Sequence, residues 1–210
     1  MNMDYGGKRM KKPKIFIVLC VLAFVIFLLV YPGRVVPEAL FDDFYCRDMI
    51  IRQITQHLKL KNAKMPEDQL HLTANTLYEA SRENDVDYRL VLAIMEAESN
   101  YDHGAVSSMG ARGIMQIRPI LAEFLSKDVG ITLTDEKDLH EPDYNIKLGV
   151  YYLSWLNNRG FDNTKLMIHA YNVGHNKARE ERSKNPSPNT RYVKEVLKQY
   201  QSNLSRFPEL

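Results

Sequence analysis

The sequence predicts a mainly α-helical domain with one small β element, set behind a single N-terminal transmembrane helix. Three observations lead there. Ile15 to Tyr31 is an uncharged apolar run of 17 residues. From Phe44 onward, apolar residues recur at helical spacing in short segments separated by Pro, Gly and Asn. Tyr101 to Ile117 breaks that rhythm with Gly104, Gly110, Gly113 and small polar residues, and reads as turns with brief extended pieces.

Residues 1–14 form a basic cytoplasmic tail. At ~1.5 Å per residue the segment 15–31 reaches ~25 Å, the short end of a spanning helix. Lys8, Arg9, Lys11, Lys12 and Lys14 precede it, and the next basic residue is Arg34. The positive-inside rule then puts the N-terminus in the cytoplasm and the rest outside. A cleaved signal peptide has a shorter apolar core and a small-x-small cleavage site. Neither Tyr31-Pro32-Gly33-Arg34 nor Pro37-Glu38-Ala39 fits one, and Leu19-Cys20 is a poor lipoprotein site, so an uncleaved anchor is expected.

Residues 32–65 read as a juxtamembrane helix and linker. The helix, Phe44 to Leu60, carries Met49, Ile50, Ile54, His57 and Leu58. Residues 66–210 form the domain, long enough for one core. Its expected helices run from Glu67 to Asn84, from an Asp87 N-cap to Ser99, and from Pro119 through Ile120, Leu121 and Phe124 to Gly130. Three more run from Asn145 to Asn157, from Lys165 to Asn172 with Gly174 as C-cap, and from Tyr192 to Tyr200.

The chain carries 28 basic and 26 acidic residues. Without the five N-terminal Lys/Arg and Asp4, 23 basic and 25 acidic remain, so the basic balance is a topology signal rather than a nucleic-acid surface. The basic residues after the anchor are dispersed, and no nucleic-acid partner is expected. Cys20 and Cys46 imply no disulfide framework. His57, His71, His103, His140, His169 and His175 show no ligand spacing, so neither metal nor cofactor is expected.

The chemistry points to Glu98. Val91, Ile94, Met95 and Glu98 fall at i, i+3, i+4 and i+7, so a carboxylate lies on the apolar stripe of its helix. Glu96 is about 200° further round and faces away. Burial raises a carboxyl's pKa and keeps the proton a general acid needs. The competing reading puts Glu98 at a frayed helix end, in solvent or against an Arg.

Three segments follow it: Glu98-Ser99-Asn100-Tyr101 running into Ala105 to Gln116, Leu139 to Ile146 leading into Gly149 to Leu153, and Ala170-Tyr171-Asn172-Val173-Gly174. In this order and spacing, from about Leu70 to Tyr200, they closely resemble the soluble lytic transglycosylase (SLT) family, whose catalytic domain is lysozyme-like (goose-type) and mostly helical. The resemblance implies an enzyme that cuts the β-1,4 bond between N-acetylmuramic acid and N-acetylglucosamine in peptidoglycan. It leaves a 1,6-anhydromuramic end and consumes no net water. It implies Glu98 as the catalytic acid/base. Ser99, Met115, Gln116, Tyr171 and Asn172 are then the residues that orient the site or bind substrate. His103, Ile114, Val173 and His175 stand where family members often have Pro, Leu, Ala and Pro, a departure that touches the cleft shape.

Most glycosidases use two carboxylates, but a 2-acetamido sugar can supply its own nucleophile, so one Glu suffices. Each motif residue also has a structural reading. Ser99 caps a helix, Met115 fills core, Tyr171 packs and Asn172 ends a helix. Asp102, four residues past Glu98, keeps a hydrolytic, muramidase-type mechanism open. A non-catalytic glycan-binding wall module is the second alternative. The expected setting is the periplasmic side of a bacterial inner membrane. The expected partners are peptidoglycan strands, the membrane through the N-terminal helix, and wall-spanning or wall-synthesis complexes.

Overall fold

The computed structural model describes residues 38–61 and 65–210, with side chains from Tyr45. The expected anchor, 15–31, and Cys20 lie outside the described residues. Among those described, no helix is long and apolar enough to cross a membrane.

Helix α1 (Glu38–Leu60) enters a compact unit that runs from Cys46 to Leu210. Seven further α-helices follow: α2 (Glu67–Glu83), α3 (Tyr88–Ser99), α4 (Pro119–Val129), α5 (Pro142–Asn158), α6 (Thr164–Val173), α7 (His175–Arg182) and α8 (Arg191–Arg206). One 3-10 turn, Glu136–His140, precedes α5.

Helix α3 is central. Asp87 caps it by accepting from Arg89 N, and every residue from Leu90 to Met95 is buried. It packs most extensively on α8. Tyr200 OH donates to Asp87 Oδ2 at 2.7 Å and Asn203 Nδ2 to Arg89 O at 2.9 Å, fixing the N-terminal end of α3 to α8. Helix α1 adds Ile50, Ile51, Ile54 and Leu58 to the same core and is tied to α2 by Arg47, which donates to Glu79 and Asn75.

Two expectations change here. The small β element reduces, among the described residues, to isolated antiparallel bridges, Val106 with Arg112 and Arg112 with Ile117. A single residue bridging both ways closes a tight loop, too short for a ladder. Helix α7 was not foreseen. Of its eight residues only Ala178 is buried, so it has no apolar stripe to read.

Candidate active site

The C-terminal turn of α3 opens at the floor of a cleft of about 920 Å³. Glu98 is the only carboxylate among the described residues lining it. Its lining comes from the 107–111 loop and α4 and from the end of α6 and the start of α7, which meet where the Phe124 ring stacks on His175 at 6.4 Å. Helix α4 turns Ala122 and Leu125 into the core and gives Ile120, Leu121 and Phe124 to the cleft, with Ile120 71% and Phe124 54% exposed.

Burial lifts the Glu98 carboxyl from the usual range to about 7, against the opposing effect of a hydrogen bond from Tyr192 OH to Oε1 at 2.6 Å. The residue is also the penultimate one of α3. Unsatisfied carbonyls at a helix C-terminus disfavour negative charge, so the helix adds to the effect of burial. Glu96 faces the other way, toward α1, and accepts from Lys61 Nζ at 2.7 Å. Asp102 is turn chemistry: its Oδ1 accepts from Gly104 N at 2.9 Å, and it does not line the cleft.

The other motif residues divide. Gln116, Tyr171 and Asn172 line the cleft with Glu98. Ser99 and Met115 do not. Ser99 Oγ is spent on carbonyls, at 2.7 Å from Ile114 O and 3.2 Å from Met95 O. The expected cleft-lining Met115 has a fully buried side chain set against Gly149, where a Cβ would collide with its sulfur. Met115 serves through its backbone instead. Its carbonyl accepts from Tyr171 OH at 2.9 Å, and its N–H donates to Asn145 Oδ1 at 2.7 Å. Gln116 has a left-handed φ of 51° and donates from Nε2 to Gly113 O and Ala105 O.

Sequence reasoning missed Tyr192 and Asn145. Tyr192 lies in the first turn of α8, and only the fold brings it 94 positions back to Glu98. Asn145 is fully buried and clamps the 112–115 loop by also donating to Arg112 O and Leu139 O. Tyr152 and His175, which line the cleft and pack on the buried Trp155 behind them, were also unassigned. Burial, then Arg179 and Arg159, push His175 below the ordinary histidine range. Arg118 and Lys177 add cations to the lining.

Residues 57–200 match the model of the transglycosylase SLT domain family. The chain belongs to that family. Over 116 residues it is 36% identical to membrane-bound lytic murein transglycosylase C of Klebsiella pneumoniae, a stretch covering 50% of this chain and 31% of that protein. Among solved structures, an inactive glutamate-to-glutamine mutant of lytic transglycosylase Slt from Pseudomonas aeruginosa aligns with TM-score 0.55 at 28% identity. That alignment covers 62% of this chain and 24% of that one. The 70 kDa soluble lytic transglycosylase of Escherichia coli shares the fold, with TM-score 0.57 at 21% identity over 75% of this chain and 29% of that one. The SLT match thus spans less than a third of each of these proteins.

Proposed function

We propose that this chain is a peptidoglycan lytic transglycosylase with Glu98 as its single acid/base. The observation that carries the reading is the state of Glu98, a lone cleft carboxyl lifted to about 7 by burial and held by Tyr192. Near neutral pH it is present in both forms, as an acid that must later act as base requires.

Protonated Glu98 donates to the glycosidic oxygen between N-acetylmuramic acid and N-acetylglucosamine as the C1–O bond breaks. The acetamido carbonyl of the muramic acid supports the positive centre. The Glu98 carboxylate then takes the C6 hydroxyl proton while O6 bonds to C1, so the ring closes and no water is consumed. Tyr192 stabilises the carboxylate between the two transfers. Gln116 has its amide N–H groups committed to backbone carbonyls and offers its oxygen to sugar hydroxyls. Tyr171 has its hydroxyl committed to Met115 and offers its ring, and Asn172 offers its amide to the acetamido group. Ile120 and Phe124 present apolar surface to sugar faces. Ser99 orients the site indirectly, by joining α3 to the 114 carbonyl.

Asp102, committed to its turn, favours this reading over a muramidase that activates water with a second carboxylate. The inactive glutamate-to-glutamine form of the Pseudomonas protein agrees with dependence on one glutamate. The name of the Klebsiella relative supports a membrane-held enzyme. In this reading 15–31 is the anchor, the domain works on the periplasmic side, and its partners are glycan strands and wall-spanning or wall-synthesis complexes.

The test is incubation of purified sacculi with wild type and Glu98→Gln, followed by mass spectrometry of the released fragments. Products lighter by one water than their hydrated counterparts are expected from wild type, with a rate loss of about 10²–10⁴-fold in the variant. Hydrated reducing ends, or a variant of near-wild-type rate, would sink the proposal.

A further inference from the structure

Two residues directly after α3 hold conformations that L-residues rarely adopt. Asn100 has φ 50° and ψ 42°, and Tyr101 has φ 63°. Asn tolerates this region through its short polar side chain, but an aromatic there is unusual. Such a turn persists when its surroundings over-determine it. Tyr101 is fully buried, and its hydroxyl sits in a network joining three helices. His57 Nε2 of α1 lies 2.9 Å away, Leu92 O 3.1 Å and Glu96 Oε2 3.2 Å, both of α3. Arg206 Nη1, at the end of α8, is 3.2 Å from His57 Nδ1, and Lys61 Nζ is 2.7 Å from Glu96 Oε1.

The direction of each bond follows. A guanidinium only donates, so His57 Nδ1 accepts. The other ring nitrogen of a neutral imidazole then carries the hydrogen, and Nε2–H donates to the Tyr101 oxygen. The tyrosine proton goes to Leu92 O or Glu96 Oε2. Burial, with Arg206 and Lys61 beside it and Glu96 opposing, lowers His57 to about 4, so the ring is neutral at working pH.

We propose that Tyr101 and His57 are positioning residues for Glu98: α1 and α8 grip the left-handed turn that ends α3 and thereby hold the acid-bearing turn at the cleft. Glu98 lies three residues before Tyr101, and Ser99 Oγ fixes the opposite side of this turn to Ile114 O at 2.7 Å. If the turn relaxes, the last residues of α3 can rewind, and each residue of rewinding swings a side chain by about 100°. The role rests on Glu98 being the acid/base. Its placement of the carboxyl can be read without turnover.

The test uses the full chain in detergent. Tyr101→Phe keeps the ring and removes the hydroxyl. His57→Gln can still accept from Arg206 and donate to Tyr101, whereas His57→Leu can do neither. Four quantities are measured: kcat and KM on glycan strands, the thermal midpoint, and the titration midpoint of the Glu98 carboxyl by NMR, assigned with Glu98→Gln. Tyr101→Phe and His57→Leu are expected to lower kcat about tenfold with KM within about twofold, as a misplaced catalytic group does. Their Glu98 midpoint should move down toward the ordinary glutamate range as water enters, while His57→Gln keeps both values. Unchanged kcat and Glu98 midpoint, with only the thermal midpoint lowered, would show that the network is purely structural. If Tyr101→Phe does not fold, the two His57 variants carry the comparison, with Lys61→Met as a milder break at the partly exposed end. A wild type that releases no anhydro product would overturn the proposed reaction, while the Glu98 titration across the variants would still decide the positioning role.

Discussion

Burial of Glu98 costs stability once the carboxyl ionises, and that cost is measurable. Its folded value of about 7 lies above the ordinary 4.5. Below pH 4.5 the group is protonated whether the chain is folded or not, and its burial is uncharged. As pH rises toward 7 the folded state alone keeps the proton, so stability falls, by up to roughly 3 kcal/mol once the folded group ionises. Glu98→Gln is neutral throughout. Urea unfolding should therefore find the variant more stable than wild type at pH 8, with the difference shrinking at pH 5. Parallel pH profiles would mean that the carboxyl is not desolvated. Tyr192 works on the same equilibrium from the other side. Its hydroxyl stabilises the charged form, so Tyr192→Phe should move the alkaline limb of kcat/KM above its wild-type position near 7 and lower kcat about tenfold, the loss of one charge-assisted bond. A limb that stays put would remove Tyr192 from the site.

Elements differ in how much of themselves they write into the sequence. Helix α3 was legible because Asp87 caps it and Val91, Ile94 and Met95 mark its stripe, and the odd carboxylate on that stripe leads to the candidate cleft. Helix α7 was illegible because its residues cover no core. It is set instead by Gly174, whose φ of 86° both ends α6 and starts α7. Met115 was misplaced because its motif position says nothing of which way its side chain turns. Gly149, a helix away, leaves the hole that takes it. Asn145 stayed hidden for a related reason: a polar residue at the buried face of α5 acts through the Leu139 carbonyl of the 3-10 turn and through a carbonyl and an N–H of the 112–116 loop. That loop carries Gln116 and the Met115 carbonyl that holds Tyr171, so its stability and the cleft are linked. Asn145→Ala removes three bonds around buried backbone groups and should cost about 3 kcal/mol or more. Wild-type stability in chemical denaturation would show that the loop is held by its glycines and bridges alone.

On the scale of the whole molecule, the question is where the folding unit begins. The pattern of the sequence starts the domain at Pro66, and the SLT match starts at residue 57. The first boundary deletes α1 and the second cuts it immediately before His57. Yet Ile50, Ile51, Ile54 and Leu58 are all at most 2% exposed in the common core. At ~1.5–3 kcal/mol for each fully buried aliphatic side chain, the four together contribute ~6–12 kcal/mol. That is comparable with the ~5–15 kcal/mol of net stability typical of an entire domain. Deleting α1 also leaves the Tyr101 hydroxyl and Arg206 without His57. A chain of residues 66–210 should therefore show no cooperative thermal transition, and one of residues 57–210 only a weakened transition. Residues 38–210 should melt as a single unit and retain the raised Glu98 titration. Circular dichroism melts of the three, with the Glu98 carboxyl followed by NMR in any that fold, separate the possibilities. A cooperative 66–210 fragment with Glu98 still near 7 would show that α1 merely covers a domain complete without it. Loss of both properties together would place α1 within the folding unit, through the same His57–Tyr101 network that holds the C-terminal turn of α3.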